Sequence, residues 1–152
     1  MAGFTITSAN VVFVLTVPGV YPGGVQLQGF GVDEAFTTDL VDANETQVGV
    51  DGFGVAGYIP RSPSMTIRLL ASAAVSFSVF ENWIAAQDAL QDVLYGSAVI
   101  SMPSVGRKYT CYMGSLMHVS TMADARKVLA NREFRVQWLP QGAIPAISAS
   151  PM

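Results

Sequence analysis

Side chains able to do covalent or acid–base chemistry are scarce in this 152-residue chain, which has one cysteine, Cys111, and one histidine, His118. A thiol and an imidazole act as nucleophile and base only within hydrogen-bond reach of each other. Seven positions apart on a continuous strand, they point to opposite faces, because side chains alternate with a period of two. A lone cysteine also excludes an internal disulfide, so nothing here calls for an oxidising compartment. No second Cys or His exists to complete a metal site, and the carboxylates from Asp33 to Asp51 do not fall at the ligand positions of a calcium loop. Gly29, Gly31 and the glycines from Gly49 to Gly57 lack a phosphate-loop lysine and a dinucleotide fingerprint leading into a helix, and read instead as turns and bulges. Arg107-Lys108 and Arg126-Lys127 are pairs and not a stripe, with aromatic company only at Tyr109 and Tyr112, a weak basis for nucleic-acid binding. The expectation is a protein that is not an enzyme and uses no cofactor or metal.

Composition points elsewhere. Charged residues make up 12% of the chain, about half the roughly 25% usual for soluble domains, while 51% are hydrophobic. Such a surface fits a membrane protein or one that covers itself with its own copies. The longest apolar run, Val11 to Leu15, or to Val17 through Thr16, is far short of the roughly 20 residues of a spanning helix. No basic residue precedes it, and Pro18, Gly19, Pro22, Gly23 and Gly24 follow, unlike a signal peptide. Self-association is therefore expected, with no membrane partner.

Charge is divided along the chain. Residues 1 to 60 hold six acids and no Lys or Arg, whereas residues 61 to 152 hold all eight bases against five acids. A two-sided subunit suits head-to-tail contacts, which close into rings or propagate as filaments. On this basis Asp42, Glu45 and Asp51, with Arg61, Arg68, Arg107 and Lys108 as their complements, are the candidate contacts between subunits or rings.

The elements that would position these groups are mainly strands. Gly and Pro cut the first hundred residues into short β-branched and aromatic segments: Val11 to Val17, Val25 to Phe30, Ala35 to Val41, Thr46 to Val50, Val55 to Ile59 and Met65 to Leu70. Asp51-Gly52 predicts a hairpin turn, since Gly accepts positive φ. One helix is expected over residues 78–95, opening on a capping box at Ser78 and Glu81 and stopping at Gly96. Strands resume at Ala98 to Met102, at Lys108 to Val119 in two pieces broken at Gly114, and at Glu133 to Leu139; residues 123–130 read as loop or a single helical turn. The fold class is thus mainly β, a barrel or sandwich of antiparallel strands with one flanking helix. It makes a single domain over residues 1–139, followed by a Pro- and Ala-rich tail, residues 140–152, with no periodicity.

The order of elements from Gln28 to Gln87 resembles the phage tail tube proteins of contractile-tailed phages. The matching features are Gly29-Phe30, Asp33-Glu34, the strand to Leu40, the acidic loop Asp42 to Glu45, Gly49-Val50-Asp51-Gly52, the apolar strand Ser64 to Leu70, the serine-rich exit Ser72 to Ser78, and the helix from Val79. They cover about 60 of 152 residues; the last strands match only by alternation, and the tail has no counterpart. The resemblance implies a virion protein of the tail, made in the host cytoplasm, whose rings, hexameric in the family, stack into a tube. Sheath protein packs outside, and the tape-measure protein and DNA occupy the channel transiently. It also implies a channel lined by Asp33, Thr37 and Asp39, whose like charge repels phosphate over about 8 Å at physiological salt. A ring protein of a baseplate or of a secretion-type contractile tube is the alternative.

Overall fold

The computed structural model describes residues 11–28, 36–70, 72–122, 125 and 130–151. Its strands are β1 (Val12–Val17), β2 (Tyr21–Leu27), β3 (Phe36–Thr38), β4 (Asn44–Val48), β5 (Gly54–Tyr58), β6 (Ser64–Leu69), β7 (Gly96–Met102), β8 (Arg107–Val119), β9 (Arg132–Trp138) and β10 (Ile147–Pro151). A single α-helix among the described residues, α1 (Ala74–Leu90), lies between β6 and β7. Eight strands form one antiparallel sheet in which β2-β1-β7-β8-β9-β6-β3 follow in order and β10 joins β8; β4 and β5 pair only with each other.

β8 is the hinge of this sheet. Along one edge it pairs with β7; along the other, residues 107–111 pair with β10 and residues 114–119 with β9. Two bulges bend it, one between Cys111 and Gly114, where Met113 has φ 42°, and one between Leu116 and His118. The sheet folds over on itself there, so that Phe13 of β1 meets Phe36 of β3 edge-to-face with ring centroids 5.6 Å apart. The result is sandwich-like and not a closed barrel. An apolar gap of about 270 Å³, lined by Phe36, Met65, Ile100, Met102 and Ile147 among others, remains between the two halves.

Alternation builds the core. Phe13, Leu15 and Val17 of β1, Met65, Ile67 and Leu69 of β6, and Phe134, Val136 and Trp138 of β9 are all buried, every second residue facing inward. Gly114 shows how tightly these layers meet: a Cβ there would lie 2.4 Å from the Trp138 ring. The helix lays Ser76, Val79, Phe80 and Trp83 on the core. Phe80 stacks on Phe134 at 4.4 Å, and the Trp83 indole N–H donates to the Leu94 carbonyl over 2.9 Å.

Several boundaries differ from expectation. α1 starts at Ala74, four residues before Ser78, with no side-chain cap, and Glu81 pairs with Arg132 of β9 over 2.5 Å. The inward stripe continues back through Ser76, whose hydroxyl accepts the Gln28 N–H over 2.6 Å, and a buried serine leaves no apolar signal. The helix stops at Leu90, where Gln91 takes the left-handed conformation, and Gly96 opens β7. β2 begins at Tyr21, four residues before the expected start at Val25; at the sheet edge Pro22 needs no ladder N–H, and Gly24 at φ 81° takes up the register shift. β8 is one strand bent at Gly114, not two pieces. Beyond Pro140 the chain forms β10, Ile147 pairing with Cys111 and Pro151 with Arg107. The expected helical turn over residues 123–130 falls largely outside the described residues. No described helix is long and apolar enough to cross a membrane.

Candidate assembly surface

The outward residues of β3, β6 and β9 form a polar face. Thr37 stands opposite Thr66, and Arg68 binds Glu133 over 2.8 Å. Asp39, just past β3, forms an ion pair with Arg135. The proposed channel residues Thr37 and Asp39 therefore share one region, but its charge is balanced by Arg68 and Arg135 and is not purely acidic. Asp33 lies outside the described residues.

The hairpin β4–β5 carries Glu45 in β4 and Asp51 in its turn. The turn is the expected one: Gly52 has φ 86°, and an Asp51 carboxylate oxygen accepts the Phe53 N–H over 3.2 Å. Every residue of both strands is exposed. A two-stranded ribbon is at best marginal by itself, yet this one presents Val48, Phe53 and Tyr58 at 74%, 74% and 75% exposure. Val50, Val55 and, before the hairpin, Leu40 are bare as well. Apolar groups so concentrated on one projection mark an interaction surface.

Of the other candidate contact residues, Asp42 is exposed near the hairpin base, and Arg61 lies 5.9 Å from the Tyr58 ring centre. Arg107 and Lys108 are exposed where β8 begins, beside β10. Asp42, Glu45, Asp51, Arg61, Arg107 and Lys108 make no ion pair among the described residues. Of the set, Arg68 alone forms an ion pair among the described residues, with Glu133.

Cys111 and His118 do not meet. Cys111 is buried, and desolvation pushes its thiol up to about 12, so it stays protonated; His118 is exposed on the other side of β8. Among the described residues, no group of three or more His, Cys, Asp or Glu could hold a metal. Arg132 escaped the sequence reading. It is 3% exposed, donates to Glu81 and to the Ser120 carbonyl over 2.6 Å, and lies 4.5 Å from the centre of the Phe77 ring. Its parity with Phe134, Val136 and Trp138 was the available signal, since all four fall on the inward phase of β9.

The family described as tail fiber protein gp32 matches residues 4–140. No curated protein matches the chain. Among solved structures, a chain from the cryo-EM structure of the anti-feeding prophage cap, the AFP tube terminating cap, is similar with a TM-score of 0.59 and 10% identity over 100% of this chain and 95% of that one. A chain from the sheath/tube terminator of the PVC extracellular contractile injection system in the extended state gives a TM-score of 0.62 and 11% identity, with 99% of both chains covered. A chain from the sheath-tube complex of the PVC system gives 0.57 and 13%, covering 92% and 88%. At these identities the likeness is one of fold.

Proposed function

Because the chain belongs to the family described as tail fiber protein gp32, we propose that it is a non-enzymatic structural subunit of a contractile phage-type tail, assembling with its own copies into stacked rings of the tail tube. The exposed β4–β5 hairpin carries this reading. Each large apolar side chain removed from water contributes about 1.5–3 kcal/mol, against about 4–15 kcal/mol of freedom lost on association. One docked side chain is too little. A hairpin presenting Val48, Val50, Phe53 and Val55 together comes near balance, and contacts repeated around a ring carry it past.

In this reading the rings are hexameric, the sheath packs outside, and tape-measure protein and DNA pass through the channel. The particle is a virion tail assembled in the host cytoplasm. The polar face with Thr37 and Asp39 lines the channel. Its ion pairs leave no net positive charge to hold phosphate, so DNA slides. A second reading, a ring at an end of the tube, terminator or baseplate, is favoured by one observation: the similarity to the terminator, cap and AFP baseplate chains runs over 99%, 95% and 98% of theirs, against 88% for the sheath-tube chain.

Negative-stain microscopy of the purified chain, with its mass in solution, tests both. Rings that stack into tubes support the tube subunit. Rings that stay single favour the end ring. A monodisperse monomer at high concentration overturns ring formation altogether.

A further inference from the structure

At the foot of the hairpin, between residues 58–63 and the loop leading to β10, runs a groove of about 300 Å³. Its walls include Pro60, Pro63, Pro145 and Ile147, and Arg61 belongs to its lining. Prolines make a rigid apolar wall that loses no conformational freedom when covered. The groove cannot take its own hairpin. Asn44 to Val48 pairs in register with Gly54 to Tyr58, which holds the tip, residues 49–53, away from its base by about five residues at roughly 3.4 Å each.

Charge complements shape. The hairpin carries Glu45 and Asp51 and no base, while Arg61, beside the Tyr58 ring, forms no ion pair among the described residues. Asp39, the acid in the groove wall, is already engaged by Arg135, so it does not oppose an incoming carboxylate. The tip thus presents an apolar residue, Phe53, beside an acid that has no ion-pair partner among the described residues. The groove presents apolar walls beside a base that likewise has none among them.

We propose that the groove receives the hairpin tip of a second copy, with Phe53 against the proline walls and Asp51 paired with Arg61, in a head-to-tail contact. This rests on the self-assembly reading above and names the receiving surface. Tip and groove are different surfaces, so the contact leaves one of each open at the ends and propagates or closes as a ring.

The test is cross-linking of the full chain carrying Asp51→Cys and Arg61→Cys with a short bismaleimide, the buried Cys111 giving little background. The expected result is a ladder extending beyond dimer, absent from either single variant. Assemblies like wild type that yield no ladder overturn the groove assignment while leaving self-assembly intact. Cross-linking that stops at dimer overturns the head-to-tail arrangement. A wild-type chain that stays monomeric overturns the self-assembly reading, and this inference with it. If the cysteine variants do not fold, charge reversal decides: Arg61→Glu should raise the concentration needed for assembly, and adding Asp51→Lys should lower it again. Failure of that rescue also overturns the contact.

Discussion

Replacing Gly114 by alanine isolates the cost of one methyl group at the point where the two halves of the sheet meet. The new Cβ would stand 2.4 and 2.7 Å from two ring carbons of Trp138 and 2.9 Å from a Val136 methyl. Gly114 has no positive φ, so the penalty is purely steric. Trp138 lies directly across from it in the ladder and is fully buried, so the ring has nowhere to swing without disturbing its neighbours. Overpacking of this kind costs about 1–3 kcal/mol. Alanine recovers about 0.4–1 kcal/mol by restricting the unfolded chain. The net expectation is about 1–2 kcal/mol, and at about 2–4 °C per kcal/mol for a chain of this size, Tm falls by about 2–8 °C. Urea and thermal unfolding measure it. The double variant Gly114→Ala with Trp138→Leu should be less destabilised than the sum of the two single changes, because each relieves the other's fault. A Gly114→Ala protein as stable as wild type, or strict additivity, refutes the packing argument.

Further expectations follow from the buried and charged groups. Glu81→Ala leaves Arg132 buried without its counter-charge and should cost up to about 3–5 kcal/mol, whereas Arg132→Met, which removes the buried charge and leaves Glu81 partly hydrated, should cost less; chemical denaturation giving the opposite order refutes this. The folded Cys111 thiol keeps its proton up to about 12 while the unfolded one loses it near 9.0, so protons leave only on unfolding and stability falls as pH rises above 9. The slope from this group is about 1.4 kcal/mol per pH unit, and Cys111→Ala should lack that component; identical alkaline unfolding profiles for the two proteins count against it. In assembled particles, Asp33→Lys with Asp39→Lys should slow DNA ejection without preventing assembly, and unchanged ejection kinetics would remove these residues from the channel.

The strands that alternate strongly were legible in the sequence because their pattern is set by burial: β1, β6 and β9 read almost residue for residue. What stayed hidden was set by partners distant in the chain. β10 has too little hydrophobic alternation to be seen and exists because it lies along β8. The early start of α1 depends on a buried serine bonded to Gln28, which no apolar stripe records. Odd spacing rightly put Cys111 and His118 on opposite faces, though by a cancellation: the inward phase of β8 shifts once at Met113 and shifts back before Val119. On the assembly surface, charge division named Asp51 and Arg61, but local sequence cannot say that a hairpin is bare on both faces. Phe53, Val48 and the proline walls needed the structure.

The hinge strand also governs the order in which the chain can find its fold. β7 and β8 are joined by the short 3₁₀ turn Pro103–Val105 and can zip together as soon as both exist. β9 can follow across a short connection, Val119 pairing with Phe134, but the outer strands arrive from afar: Val12 must find Ser101, and Ser64 must find Gln137 of β9. Pairings of such sequence separation close large loops before they are rewarded, which slows folding into the millisecond-to-second range. A nucleus at the β7–β8 hairpin would make substitutions there retard refolding, while those in β10 or β2 would chiefly hasten unfolding.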